Sequence, residues 1–175
     1  DSATLDVRGT EERPVLFTSV RHDGWYDYLP GQWGMIWLSQ GSKDNVMENA
    51  VVENGYTGIK LDSCASANPT LRMKNVQVRN HSLAGILANT ADVVGENVLV
   101  VNCGVATVAM QYGGHYDFRN CTFADFWRYD SRKYPSVQVS NYLDAEGMRY
   151  VWEMDVRLTD CIVYGGRPEE LWVDL

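Results

Sequence analysis

Asn49-Ala-Val-Val-Glu-Asn54 returns along the chain as Asn75-Val-Gln-Val-Arg-Asn80 and again as Asn97-Val-Leu-Val-Val-Asn102. Weaker copies follow at Asn120-Cys-Thr-Phe-Ala-Asp125 and Asp160-Cys-Ile-Val-Tyr-Gly165. Their first positions lie 26, 22, 23 and 40 residues apart, and the last interval reads as one period plus about 17 inserted residues. Repetition at that period predicts a solenoid, in which each unit buries its apolar face against the next.

Short apolar strands flank every copy. Met35-Ile-Trp-Leu38, Gly58-Ile-Lys-Leu61, Gly85-Ile-Leu-Ala88, Thr107-Val-Ala-Met110 and Ser136-Val-Gln-Val139 form one series. Leu71-Arg-Met-Lys74, Tyr116-Asp-Phe-Arg119 and Val156-Arg-Leu-Thr159 form another, ahead of the repeated Asn or Asp. Three strands per turn with Asn and Gly at the corners predict an all-β fold, a right-handed parallel β-helix. We expect a single-stranded solenoid of about five coils, forming one domain over 1–175 and cut from a longer solenoid.

Strand alternation sorts the side chains, because neighbours along a strand point to opposite faces. The inward columns are expected to be Ala50/Val76/Val98/Cys121/Cys161, Val52/Val78/Val100/Phe123/Val163, Ile36/Ile59/Ile86/Val108/Val137 and Leu38/Leu61/Ala88/Met110/Val139. Every member is apolar. Outside, Glu48, Lys74, Glu96 and Arg119 should stack with alternating sign, which fixes register at ~0.2–1 kcal/mol per pair. The corner residues Asn54, Asn80, Asn102 and Asp125 fit a ladder of stacked amides satisfying turn backbone. Ordinary Asn and Gly turn preference accounts for the same residues.

The net charge of −8 and pI near 4.8 make nucleic acid and anionic lipid poor partners. No apolar run approaches the roughly 18 to 20 residues of a membrane span. The four cysteines lack CxxC spacing and neither require nor forbid an oxidising compartment. Cys121 and Cys161 are expected to stack about one strand spacing apart, wider than the ~3.5–4.5 Å a disulfide prefers, and to stay free thiols.

A family resemblance rests on particular residues. Leu5-Asp-Val-Arg-Gly9-Thr10-Glu-Glu-Arg-Pro14-Val-Leu-Phe17-Thr18-Ser19, Pro30-Gly31-Gln-Trp33-Gly34-Met-Ile36 and Asn54-Gly55-Tyr-Thr-Gly58-Ile59 resemble the right-handed β-helix repeat proteins of Bacteroidetes cell envelopes. Asn102-Cys103-Gly104 and Gly113-Gly114-His115-Tyr-Asp-Phe-Arg-Asn-Cys121 resemble a subgroup of them, and the likeness extends to about residue 140. Met35 stands where that family usually has a second Gly. The resemblance implies an exported protein, at the cell surface, in the periplasm or secreted, often a lipoprotein, and it assigns no activity. It also implies further coils ahead of Asp1.

Other parallel β-helices degrade pectin, using acids clustered on an outward face. Here the columns Trp37/Lys60/Leu87/Ala109/Gln138 and Ser39/Asp62/Asn89/Gln111/Ser140 contain the single acid Asp62, and Val51/Gln77/Leu99/Thr122/Ile162 contain none. One carboxylate supplies neither an acid–base pair nor a Ca²⁺ site, so these faces nominate no catalytic residue. His22, His81 and His115 show no partners in the sequence, and neither metal nor cofactor is expected.

The insertions are more informative. Those at 22–33 and 126–135 leave the same corner, and a third at 141–152 leaves another. Trp25, Tyr26, Tyr28, Trp33, Trp37, Trp127, Arg128, Tyr129 and Tyr134 form the candidate ligand surface, since aromatic rings beside hydrogen-bonding tips suit sugars and protein partners alike. The same rings could instead cover the solenoid flank. The sequence thus predicts a non-catalytic envelope or secreted module that binds a carbohydrate or protein. The alternatives are a polysaccharide lyase or glycoside hydrolase, and a piece of a surface assembly joined through open coil ends.

Overall fold

Alternating apolar and polar residues make strands, and the repeat makes the strands pair with copies of themselves. The computed structural model describes residues 3–62 and 69–175. Its strands are β1 (Asp6–Arg8), β2 (Val15–Phe17), β3 (Ile36–Leu38), β4 (Asn45–Glu53), β5 (Ile59–Leu61), β6 (Leu71–His81), β7 (Ala84–Cys103) and β8 (Ala106–Arg119). They continue as β9 (Thr122–Asp125), β10 (Val137–Ser140), β11 (Tyr142–Ala145), β12 (Met148–Val151), β13 (Met154–Thr159), β14 (Ile162–Gly165) and β15 (Leu171–Asp174). A 3-10 turn at Gly24–Tyr28 is the one helical segment among the described residues. The fold is all-β, with one 13-stranded sheet and a separate two-stranded hairpin, β11–β12.

Pairing in the large sheet is parallel, and it joins residues one period apart. Val15 pairs with Ala50, Ala50 with Val76 and Val76 with Val98. Phe17, Val52, Val78, Val100, Phe123 and Val163 form a second unbroken column. Ile36, Ile59, Ile86, Val108, Val137 and Leu171 form a third. The second and third columns each hold six members among the described residues, against five copies of the motif. The extra layer escapes the repeat pattern because Gly9 stands where later layers carry Asn49, Asn75 and Asn97. That glycine is required, since a Cβ there would lie 2.2 Å from the Asn49 carbonyl oxygen.

Val52, Val78, Val100, Ile59, Ile86 and Val108 are fully buried, so the core is a stack of these columns. Phe118 and Phe123 add an edge-to-face contact at 5.2 Å.

The long strands β6, β7 and β8 bend without breaking their ladders. Asn49, Asn75, Asn97, Asn120 and Asp160 all hold φ between 48° and 54°, the left-handed region that Asn and Asp tolerate best after Gly. Asn54, Asn80 and Asn102 do the same at the next corner, with φ of 64°, 60° and 57°. Both corners carry amide ladders. Asn75 Nδ2 donates to Asn49 Oδ1 at 3.1 Å and Asn97 Nδ2 to Asn75 Oδ1 at 2.8 Å. At the second corner Asn80 Nδ2 donates to Asn54 Oδ1 at 2.7 Å. Above that pair Asn102 instead accepts from the Phe126 N–H, and Asp125 from the N–H groups of Cys103 and Trp127.

Outside, Arg8–Glu48 at 2.7 Å and Lys74–Glu96 at 3.1 Å connect adjacent layers of the charged column. Arg119 turns along its own strand to Asp117. Cys103, Cys121 and Cys161 are free thiols; Cys64 lies outside the described residues. No described helix is long and apolar enough to cross a membrane.

Candidate functional site

The insertions at 22–33 and 126–135 lead from β2 to β3 and from β9 to β10, between the same two columns, so they leave the sheet at equivalent positions several strands apart. They nevertheless meet. Asn54 and Asn80 donate to the carbonyls of Asp27 and Tyr28, which draws the first insertion along the flank. The second folds back, and Tyr129 Oη donates to the Tyr28 carbonyl at 2.7 Å. Between them lies a cleft of about 420 Å³, bordered by His22, Tyr28, Glu53, Asn80, Asn102 and Arg128.

The cleft is polar, and Tyr28 is the aromatic residue that lines it. Tyr28 is 72% exposed, and Tyr129 lies 4.9 Å from the Trp127 ring. Arg79 is held by Glu53 at 2.8 Å, whereas Arg128 has no partner among the described residues and is exposed beside Asn102. Such a surface offers amide, guanidinium and carboxylate groups to hydroxyls and a ring to an apolar sugar face.

The remaining aromatic candidates disperse. Trp33 is half-buried, with Nε1 on the Glu53 carbonyl at 2.7 Å, and packs against the core. Trp37 stands on β3, donating to Asp62 at 2.6 Å beneath Lys60. Tyr26 carries the Arg21 guanidinium over its ring at 3.3 Å. Trp25 projects at 73% exposure, and Trp127 and Tyr134 border a smaller neighbouring cleft.

A buried charged cluster anchors the second insertion. The Arg132 guanidinium reaches both Glu170 oxygens and sits 3.6 Å from Asp125 Oδ2, with all three side chains almost completely buried. Burial alone would push Glu170 up, but Arg132 and the N–H groups of Arg167 and Ser136 hold it below its ordinary value. Asp125 is pushed up to about 6 by burial, against the pull of Arg132. This cluster spans two breaks in the repeat and had no periodic signal.

All three histidines have partners, which corrects the sequence expectation. His22 lies 3.4 Å from Asp27. His81 is fully buried, accepting from the Gly55 N–H with Nδ1 and meeting the Val52 carbonyl with Nε2; burial lowers it to about 4. His115 stacks in register between Asp92 and Asp155 on the outward face of β7, β8 and β13, where Asp92 Oδ1 lies 2.8 Å from its Nδ1. This face was not among the outward columns considered from the sequence. The signal was Asp92, His115 and Asp155 at spacings of 23 and 40, the intervals separating motif copies.

Among the described residues no group of three or more His, Cys, Asp or Glu side chains is arranged to hold a metal ion. No family model, curated protein or solved structure matches the chain.

Proposed function

We propose that the chain is a right-handed parallel β-helix of the cell-envelope type, exported from the cell, whose flank binds a carbohydrate in the cleft between its two aromatic insertions. The observation that carries this reading is the bond from Tyr129 to Tyr28, which turns two loops 101 residues apart into one walled groove. The groove combines an unpaired guanidinium, ladder amides and an exposed ring, the combination that polyhydroxylated ligands use.

Titration with a glycan panel, read by tryptophan fluorescence, tests the proposal through Trp127 beside Tyr129. Tyr28→Ala and Arg128→Ala should each weaken binding by tenfold or more, at unchanged thermal midpoint. Binding to no glycan, or binding indifferent to both substitutions, overturns it.

A structural role in an assembly is a second reading. It is favoured by the last layer, where the column members Leu171 and Val173 remain about half exposed. Elution as a species larger than one chain, dispersed by Val173→Glu, would support it over glycan binding.

A further inference from the structure

The outward face of β7, β8 and β13 carries a second cleft, of about 240 Å³, bordered by Pro69, Val94, His115, Asp117, Asp155 and Arg157. Its geometry is set by two adjacent columns. Asp92, His115 and Asp155 form one, and Val94, Asp117 and Arg157 the other. We propose that this cleft is an acid–base site that hydrolyses a short acyl ester, with His115 as the catalytic base.

The first argument is tautomeric. Asp92 Oδ1 accepts from the backbone N–H of His115 at 3.1 Å and faces its Nδ1 at 2.8 Å. A carboxylate oxygen accepts here, so Nδ1 is the protonated nitrogen of the neutral imidazole, and in that form Nε2 carries the lone pair. Nε2 has no partner among the described residues, and the ring is largely exposed. Asp92 therefore positions the imidazole as a base aimed outward.

The second argument is the cation. Arg157 Nη2 donates to Asp155 at 2.8 Å, which leaves Nε and Nη1 free on an exposed side chain. Arg157 is the diagonal neighbour of His115, roughly 7–8 Å away at the backbone, and both line the same cleft. Pro69 and Val94 supply an apolar wall for an acyl chain.

The third argument selects the reaction. Asp92, Asp117 and Asp155 are each engaged by His115, Arg119 or Arg157, so the two free carboxyls of glycoside hydrolysis are missing. A base beside a cation suits water attack on an ester. Nε2 takes a proton from water as the water oxygen bonds the acyl carbon, and Arg157 receives the charge developing on the carbonyl oxygen. The ester C–O bond then breaks, and the proton on Nε2 passes to the leaving alkoxide. Acid and alcohol are released, and water is the only co-reactant.

The test uses p-nitrophenyl acetate and peracetylated glucose, with free imidazole at equal concentration as the reference. The wild type should exceed the reference, and His115→Gln should reduce kcat/KM by on the order of 10²-fold. Asp92→Asn should lower kcat more than KM and change the ¹⁵N signature of His115 from the Nδ1–H tautomer. Arg157→Gln should lower kcat. Turnover no faster than imidazole, turnover unaltered in His115→Gln, or an Nε2–H tautomer in the wild type would each overturn the assignment.

Discussion

His81 and Asp125 are buried polar groups displaced in opposite senses, His81 down to about 4 and Asp125 up to about 6, both by burial. His81 binds fewer protons folded than unfolded, so its contribution is present above its unfolded value near 6.5 and lost as pH falls towards 4. Asp125 binds more protons folded, so its contribution is present below its unfolded value near 3.8 and lost as pH rises through 6. Each effect is on the order of 3 kcal/mol at about 1.4 kcal/mol per pH unit, and the two oppose each other between roughly pH 4 and 6. His81→Gln should therefore expose a stability that declines across that window, and Asp125→Asn one that climbs, relative to wild type. Urea titrations at several pH values measure both slopes; equal slopes in the two variants would contradict the burial of these groups.

The corner asparagines are a further residue-scale test. Asn75 needs its left-handed φ and also accepts and donates within the amide ladder. Asn75→Ala should cost about 1–2 kcal/mol from backbone strain alone, plus the lost ladder bonds. Asn75→Gly removes the strain and keeps only the second loss, so the alanine variant should melt lower.

At the level of elements, the second insertion is fastened by Arg132. Removing one partner from a buried ion pair leaves charge uncompensated, at a cost of about 3–5 kcal/mol. Arg132→Met should thus destabilise strongly and expose the 126–135 segment to proteolysis, and a second change, Glu170→Leu, should recover part of the loss. If the double variant is no more stable than the single one, the guanidinium is not the anchor. The charged column is a gentler case. Lys74→Glu would place three carboxylates in succession with Glu48 and Glu96, costing ~0.2–1 kcal/mol per pair and responding to salt.

These elements differ in how far the sequence announced them. The apolar columns were legible because motif copies keep strict alternation from Ala50 to Cys161. The corner ladders were legible in part: Asn54 and Asn80 bond as expected, but at Asp125 the side chain turns to backbone N–H groups. The His115 column was obscured by the corner ahead of it. There the register shifts between Asn89 and Ala91, and Gly113 and Gly114 take up the slack. The meeting of the two insertions depended on side-chain to carbonyl bonds between loops with no repeat, which periodicity cannot foresee.

For the molecule as a whole, burial of the columns controls thiol chemistry. Cys103 and Cys121 are almost completely buried, and burial pushes both thiols up, Cys121 to about 11. Alkylation of the folded chain should leave these two unmodified in peptide mass maps, while Cys161, half-buried, reacts more readily. Full reaction of Cys121 before unfolding would place it outside the core.

The in-register ladder also fixes how the protein should answer a mechanical load. Hydrogen bonds between Phe17, Val52, Val78, Val100, Phe123 and Val163 run from one layer to the next along a common direction. Tension along that direction loads the layers in series, so all carry the same force and the weakest detaches first. Pulled between its first and last strands in an optical trap, the molecule should lengthen in steps of about one repeat rather than in a single rupture.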